Sequence, residues 1–323
     1  MTPIADGHAD SLLWNRDLTV RQRRGQLDFP RMVEAGVRLQ CFTVVTRGYP
    51  LVDGVGALAR VQRWPAAARD GPWARCLFQL DQMRELCARS GGRVRVAATS
   101  AALAEVLADG RIAAVLGVEG AHALEGRTER IGELAARGVR FMGLTHLANN
   151  ALGGSSSPLM GDRPLSPLGC EALDAMAAAG IAVDLAHASH RTLRAVLAHG
   201  GPRVLCSHTG VSGAHRSWRN LDDAELRAVA DRGGVVGIIF ATIYLGGRSL
   251  ADVVRHVEHA LDVAGEDAVG FGSDFDGLVP VPRELHDVTG MPRLVEALAA
   301  RRPARVVEKV AWGNWRRFLG EAG

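Results

Sequence analysis

The chain has 323 residues, 47% hydrophobic and 23% charged, which excludes a disordered polymer and leaves room for one large core. Its 38 basic and 35 acidic side chains are spread along the chain without a block of like charge, so the net charge of +3 gives no nucleic-acid footprint. Five cysteines (Cys41, Cys76, Cys87, Cys170 and Cys206) are odd in number and lack paired spacing, so buried, reduced thiols are expected.

In chain order, the first residues carry no basic segment followed by an apolar run, the mark of a secretory signal. The longest uncharged stretch, Gly233 to Gly247, is too short and glycine-rich for a span that needs ~20 apolar residues. A cytoplasmic protein without a membrane partner is therefore expected. Short apolar runs predict strands at Ile4 to Gly7, Leu39 to Thr46, Ile112 to Val118, Arg140 to Thr145, Ile181 to Ala186, Arg203 to Ser207, Val235 to Phe240 and Ala268 to Gly272. Helical segments alternate with them: Ser100 precedes Ala101 to Ala108, Asp222 with Glu225 makes a capping-box pattern, and Ser249 with Asp252 opens a helix through Val263. A C-terminal helical segment runs from Val306 to Leu319.

Eight such units predict an α/β fold, a (β/α)8 TIM-like barrel spanning residues 1–323 as a single domain. A doubly wound open sheet has the same local pattern. The distribution of chemistry favours the barrel. His8 with Asp10, Glu119, His146, His187, His208 and Asp274 stand where six different strand-like runs stop, and they converge only if the sheet closes. Three long connections rich in Gly, Ser or Pro, Leu147 to Leu168, Thr209 to Leu221 and Phe275 to Pro292, follow strands at this end. The first reads equally as a mobile lid or a solvated loop.

His8-Ala9-Asp10 puts an imidazole and a carboxylate on one side of an extended segment, because strand side chains repeat with period 2. Glu119 follows seven apolar or glycine residues, where an unpaired carboxylate costs several kcal/mol, so a cation or an arginine must answer it. Lysine-bridged metal pairs are nearly excluded, since the only lysine, Lys309, falls in the C-terminal segment. Glu119 is then the bridging carboxylate. The ligand set becomes His8, Asp10 and Glu119 for one ion and Glu119, His187 and His208 for the other. Nitrogen and oxygen ligands without thiolate suit two Zn2+ ions, with Mn2+ or Co2+ as substitutes.

Seven ordered blocks and a C-terminal motif add a resemblance that covers almost the whole chain. They are Asp6-Gly7-His8-Ala9-Asp10, Gly117-Val118-Glu119-Gly120-Ala121-His122-Ala123-Leu124, Leu144-Thr145-His146, Val183-Asp184-Leu185-Ala186-His187-Ala188-Ser189, Ser207-His208, Arg219-Asn220-Leu221-Asp222-Asp223, Gly270-Phe271-Gly272-Ser273-Asp274-Phe275-Asp276-Gly277, and Gly313-Asn314-Trp315. In these the chain resembles the membrane (renal) dipeptidase family of binuclear zinc metallopeptidases, peptidase family M19. The resemblance implies hydrolysis of dipeptides by a metal-bridging hydroxide, with a D-residue accepted at the C-terminal position. It implies that His146 faces the substrate carbonyl, that Arg219 holds the substrate carboxylate, and that Asp274 moves protons. A homodimer is implied as well.

Ala9 replaces the asparagine usual in the first block, and the loop after His146 is rich in Ser and Gly where relatives often carry aromatic residues. Substrate preference is thus less defined than reaction type. His122, His190 and His215 read as neighbours of the pocket, with Tyr244 and Asp276 behind them. Two competing readings stay open: an amidohydrolase or deacylase acting on N-acyl or D-amino acids, and a non-catalytic binding protein on the same barrel.

Overall fold

The computed structural model describes residues 2–49 and 52–321. Its nine strands are β1 (Ile4–Ala9), β2 (Val37–Val45), β3 (Val94–Val96), β4 (Ile112–Glu119), β5 (Val139–Gly143), β6 (Ala182–Asp184), β7 (Val204–Thr209), β8 (Val236–Ile238) and β9 (Val269–Phe271). Eight of them close a parallel ring in the order β1-β2-β4-β5-β6-β7-β8-β9, with β9 returning to β1. The helices α1 (Phe29–Ala35), α2 (Gly54–Val61), α3 (Gly71–Arg89), α4 (Ser100–Ala108), α5 (Arg130–Ala136), α6 (Pro167–Ala178), α7 (His190–His199), α8 (Asp223–Asp231), α9 (Thr242–Leu245) and α10 (Leu250–Ala264) fill the crossovers. After β9 come α11 (Met291–Ala299), α12 (Ala304–Glu308), a π-helical turn and α13 (Asn314–Gly320). The fold is the expected (β/α)8 barrel, mixed α/β.

β3 is the element the sequence did not announce. It pairs with Ile112 to Ala114 of β4, whereas β5 pairs with Leu116 to Val118, so the two share one edge and β3 stays outside the ring. Three residues, Val94-Arg95-Val96, are too few for a period-2 signal. The capping boxes of α8 and α10 form as expected, but Thr99, not Ser100, caps α4 by accepting from the Ala102 amide.

Alternation in β4 explains how the ring aims its chemistry. Ala114, Leu116 and Val118 pack outward against the helices, while Ala113 and Val115 join Leu39, Cys41, Phe141 and Leu205 inside the barrel. Period 2 then carries Gly117 and Glu119 to the inner face. Gly117 is small for a reason: a Cβ there would lie 2.2 Å from the Phe141 ring. At the N-terminal end of the strands, α13 inserts Trp315 and Phe318 into the same inner cluster and closes the barrel. The interior is therefore apolar at one end and opens to polar groups only at the other.

Several strands differ from the expected bounds in a way that matters. β1, β4 and β7 run on to include His8, Glu119 and His208, whereas β6 stops at Asp184. That stop has a local cause: Asp184 Oδ1 accepts from the amides of Ala186 and Ser207, turning the chain out of the ladder toward His187. His187 and Asp274 then sit in left-handed backbone, at φ 62° and 61°. Non-glycine residues avoid that region unless the surroundings hold them there, and such strain gathers at functional sites.

Candidate active site

At the C-terminal mouth of the barrel the imidazoles and carboxylates meet around one atom, Glu119 Oε1. His187 Nε2 lies 2.9 Å from it, His208 Nε2 3.4 Å, and His8 and His146 Nε2 each 3.7 Å. His187 and His208 face each other Nε2 to Nε2 at 3.0 Å. Asp10 Oδ1 is 3.4 Å from His8 Nε2, and His8, Asp10 and Asp274 form a compact group of their own. Six chain segments thus deliver ligand-type atoms to one spot, all of them on buried side chains except His146.

Neighbouring hydroxyls and carbonyls fix the rings. Ser207 Oγ stands 3.0 Å from His8 Nδ1 and 2.9 Å from His208 Nδ1, so one hydroxyl steadies two imidazoles and leaves both Nε2 atoms turned to the cluster. Thr43 Oγ1 is 2.7 Å from Asp10 Oδ1 and 3.2 Å from His8 Nε2. His146 Nδ1 donates to the Arg47 carbonyl at 2.8 Å, which leaves Nε2 of the neutral ring with a lone pair. None of these supports announced itself in the sequence, apart from Ser207 beside His208.

The electrostatics are those of charges short of counter-charge. Burial pushes His146 down to about 4 and His187 and His208 well below the usual imidazole value, so all three are neutral, the form that ligates metal. Burial also opposes a proton on His8, but the carboxylates Glu119 and Asp10 outweigh it and lift the ring to about 10. Glu119 is raised well above the carboxylate range by burial and then by Asp10. Burial, with Asp10 next, lifts Asp274 to about 7. Glu119 Oε2 and His187 Nδ1 are buried with no hydrogen-bond partner, an arrangement that costs free energy and that a cation among these atoms would answer. The donor set fits a divalent ion with nitrogen and oxygen ligands. It does not involve sulfur: the five cysteines are unpaired and none enters a cluster.

The remaining expected residues fall in different places. Asp274 leans over Gly277, where a Cβ would come 2.1 Å from its Oδ1 and 3.1 Å from Asp10 Oδ2, so only glycine leaves that carboxylate room. Arg219 lies one layer back from the cavity lining, its Nη2 donating to the His208 carbonyl at 2.7 Å. It is 3% exposed, its Nε has no partner, and among the described residues no carboxylate pairs with it. Asp276 is consumed by structure, accepting from Ser11, Arg16 and the Gln26 amide. His190 pairs with Glu225, and His122 stands with both ring nitrogens unpartnered in a second cavity beside Asn149 and Asn150. Lys309 is remote from the site, paired with Glu266 and Asp267.

The loop after His146 is tied down. Ser156 donates to the His187 carbonyl at 2.8 Å and Ser189 to the Gly154 carbonyl at 2.7 Å, stitching it to the chain beyond β6. What the sequence did not suggest is the wall above the cluster. A cavity of about 590 Å³ has the carboxylates and imidazoles as its floor and apolar side chains as its sides, among them Val52, Val55 and Leu58 from one flank and Ile243, Tyr244 and Leu278 from the other.

A parallel barrel with an imidazole–carboxylate cluster at its strand C-termini defines the class of metal-dependent hydrolases. The chain belongs to the membrane dipeptidase family, peptidase family M19, which matches residues 1–323. It is a hydrolytic metallopeptidase, and the family implies bound metal ions. The fold superposes on a metallopeptidase from Rhodobacter sphaeroides liganded with a phosphinate mimic of the dipeptide L-Ala-D-Ala, with a TM-score of 0.86, 26% identity and 99% of each chain covered. It superposes on dipeptidase AC of family M19 with a TM-score of 0.83 and 26% identity, covering 100% of this chain and 99% of that one. A Klebsiella pneumoniae protein, described as an uncharacterized protein in the pqqA 5′ region, is 32% identical over 75% of this chain and 93% of its own length. Among the described residues no helix is long and apolar enough to cross a membrane.

Proposed function

We propose that this chain is a dipeptidase with two metal ions, in which His8, Asp10 and Glu119 hold one ion and Glu119, His187 and His208 the other, with zinc as the resident metal. The observation that carries this reading is the crowding of four imidazole Nε2 atoms within 3.7 Å of Glu119 Oε1. When bound, paired divalent cations supply Lewis acidity that polarises a carbonyl and acidifies water. The chain supplies the rest.

Asp274, near neutrality, is placed to take a proton from water and return it to the leaving amine. His146 faces the scissile carbonyl, aligned by the Arg47 carbonyl. To donate to a developing oxyanion it must carry a second proton at Nε2, which negative charge growing there favours and burial opposes. Arg219 meets the free carboxylate of the substrate, a role supported by a buried guanidinium without a carboxylate of its own. The distance from that anchor to the cluster then measures one residue and selects dipeptides. By analogy with the L-Ala-D-Ala mimic held by the Rhodobacter relative, a D-residue is accepted at the C-terminal position.

A second reading, an amidohydrolase acting on N-acyl or D-amino acids, has one observation in its favour: the cavity walls offer no carboxylate to a substrate ammonium away from the floor. The test is a panel of L-Ala-L-Ala, L-Ala-D-Ala, L-Ala-L-Ala-L-Ala and N-acetyl-D-alanine on protein of measured metal content. The account expects both dipeptides to be cleaved, the tripeptide to be spared, and Asp274→Asn to lose ~10²- to 10⁴-fold in kcat while keeping its metal. Undiminished turnover in Asp274→Asn removes Asp274 from proton transfer. Inert dipeptides with two metals bound defeat the dipeptidase reading.

A further inference from the structure

The ring order sets two loops face to face. With eight strands in the ring, β2 and β7 stand four places apart, on opposite sides of the mouth. Arg219 follows β7, so a substrate whose carboxylate rests there extends its other end toward the segment after β2, where α2 presents Val55 and Leu58. Of the nine large apolar side chains that are well exposed among the described residues, five line this one cavity: Tyr49, Val52, Val61, Ile243 and Leu278. Exposed apolar groups gathered around a polar floor mark a binding wall, since a surface of this kind costs free energy until something covers it. Above the floor the wall carries no charged side chain. Its volume, about 590 Å³, exceeds what two alanines fill.

We infer that the acyl half of the substrate, the residue on the N-terminal side of the cleaved bond, is bulky and apolar and packs between α2 and the pair Ile243 and Leu278. This rests on the dipeptidase reading above and adds a substrate class to it. Small or charged residues at that position leave the wall wet or meet no counter-charge. The carboxylates on the floor remain for the ammonium, which stays next to the bond that breaks. An N-acyl chain would satisfy the same apolar wall, so the shared chemistry is an apolar acyl group.

The test is kcat/KM of the metal-loaded protein for Gly-, L-Ala-, L-Leu-, L-Phe-, L-Asp- and L-Lys-D-Ala, alongside N-acetyl- and N-hexanoyl-D-alanine. Leu and Phe should exceed Ala by roughly tenfold to a hundredfold, with Asp and Lys no better than Gly. A hexanoyl compound cleaved faster than Phe-D-Ala keeps the apolar wall but assigns it to an acyl chain instead of an aminoacyl side chain. A flat series, or one led by Gly, Asp or Lys, overturns this inference and leaves the dipeptidase standing. No hydrolysis of any compound overturns both. Two exposed substitutions guard against misfolding: Ile243→Glu should raise the ratio of Lys-D-Ala to Phe-D-Ala at least tenfold, and Leu278→Asn, tolerated in its left-handed backbone at φ 63°, should lower the ratio of Phe to Ala severalfold. Unchanged ratios in both variants count against the wall.

Discussion

The two ends of the barrel answer the same problem, how to fill the inside of a closed sheet, with opposite chemistry. At the N-terminal end α13 drives Trp315 between β1 and β9: its Nε1 donates to the Phe271 carbonyl at 2.8 Å, and a Cβ on Gly7 or Gly270 would come within 2.2 or 2.5 Å of the indole. Asn314 donates to the carbonyls of Glu266 and Val269. Every polar atom named there has a partner. At the C-terminal end Glu119 Oε2 and His187 Nδ1 have none; burial shifts the ionisation of His146, His187, His208, Glu119 and Asp274, and the neighbouring carboxylates shift that of His8. The plug residues Asn314 and Trp315 are satisfied and serve stability. The other end is left wanting, and its unmet charge is what recruits metal and substrate.

Substitutions at each end should therefore separate activity from stability. The largest effect is expected from Glu119→Gln: turnover falls by ~10³ or more with loss of metal, as when a residue of a cooperating group is removed. The metal-free fold becomes no less stable, because a buried carboxylate crowded by Asp10 disappears. Turnover together with metal content and melting temperature checks both parts. Trp315→Ala should do the reverse, costing about 3–5 kcal/mol of stability by emptying the plug while kcat/KM of the folded protein holds within ~2-fold. Lost activity without lost stability there would erase the contrast between the ends.

Arg219→Lys sharpens the comparison within the active end. It should raise KM and lower kcat/KM by ~10- to 150-fold, equivalent to about 1.5–3 kcal/mol for a charged hydrogen bond, with kcat changed less. The last effect concerns pH and touches stability alone. His256 is buried between the Val211 amide and the Leu245 carbonyl, and burial lowers it to about 4. Between pH 6.5 and 4 the unfolded chain takes up a proton that the native ring refuses, so this stability is complete above about 6.5 and is lost as pH falls toward 4, by up to a few kcal/mol. Urea midpoints at pH 7 and 5 should show a shallower slope in His256→Asn than in the parent chain.

Much of the active end was legible in the sequence, because barrel chemistry sits where buried strands run out, and a polar residue after an apolar run is a local signal. His8, Glu119, His208 and Asp274 all carry it. The capping boxes of α8 and α10 were legible for the same reason, their partners being three residues apart. Other features depend on contacts between distant segments. Val55 and Leu58 look like any apolar helix residues until the β2 loop is set opposite β7. Thr43 and the Arg47 carbonyl orient cluster groups from a strand and the segment after it, neither of which carries a motif. Gly313-Asn314-Trp315 stood out as a block, yet its position beneath the barrel assigns it to packing.

The account turns on Glu119 being shared by two cations. Anomalous diffraction at the zinc edge, on crystals of protein purified with zinc, would locate them directly. The account predicts two peaks at the strand C-termini, both in contact with the Glu119 carboxylate, one near His8 and Asp10 and the other near His187 and His208. A single peak, or peaks that leave Glu119 untouched, would contradict it.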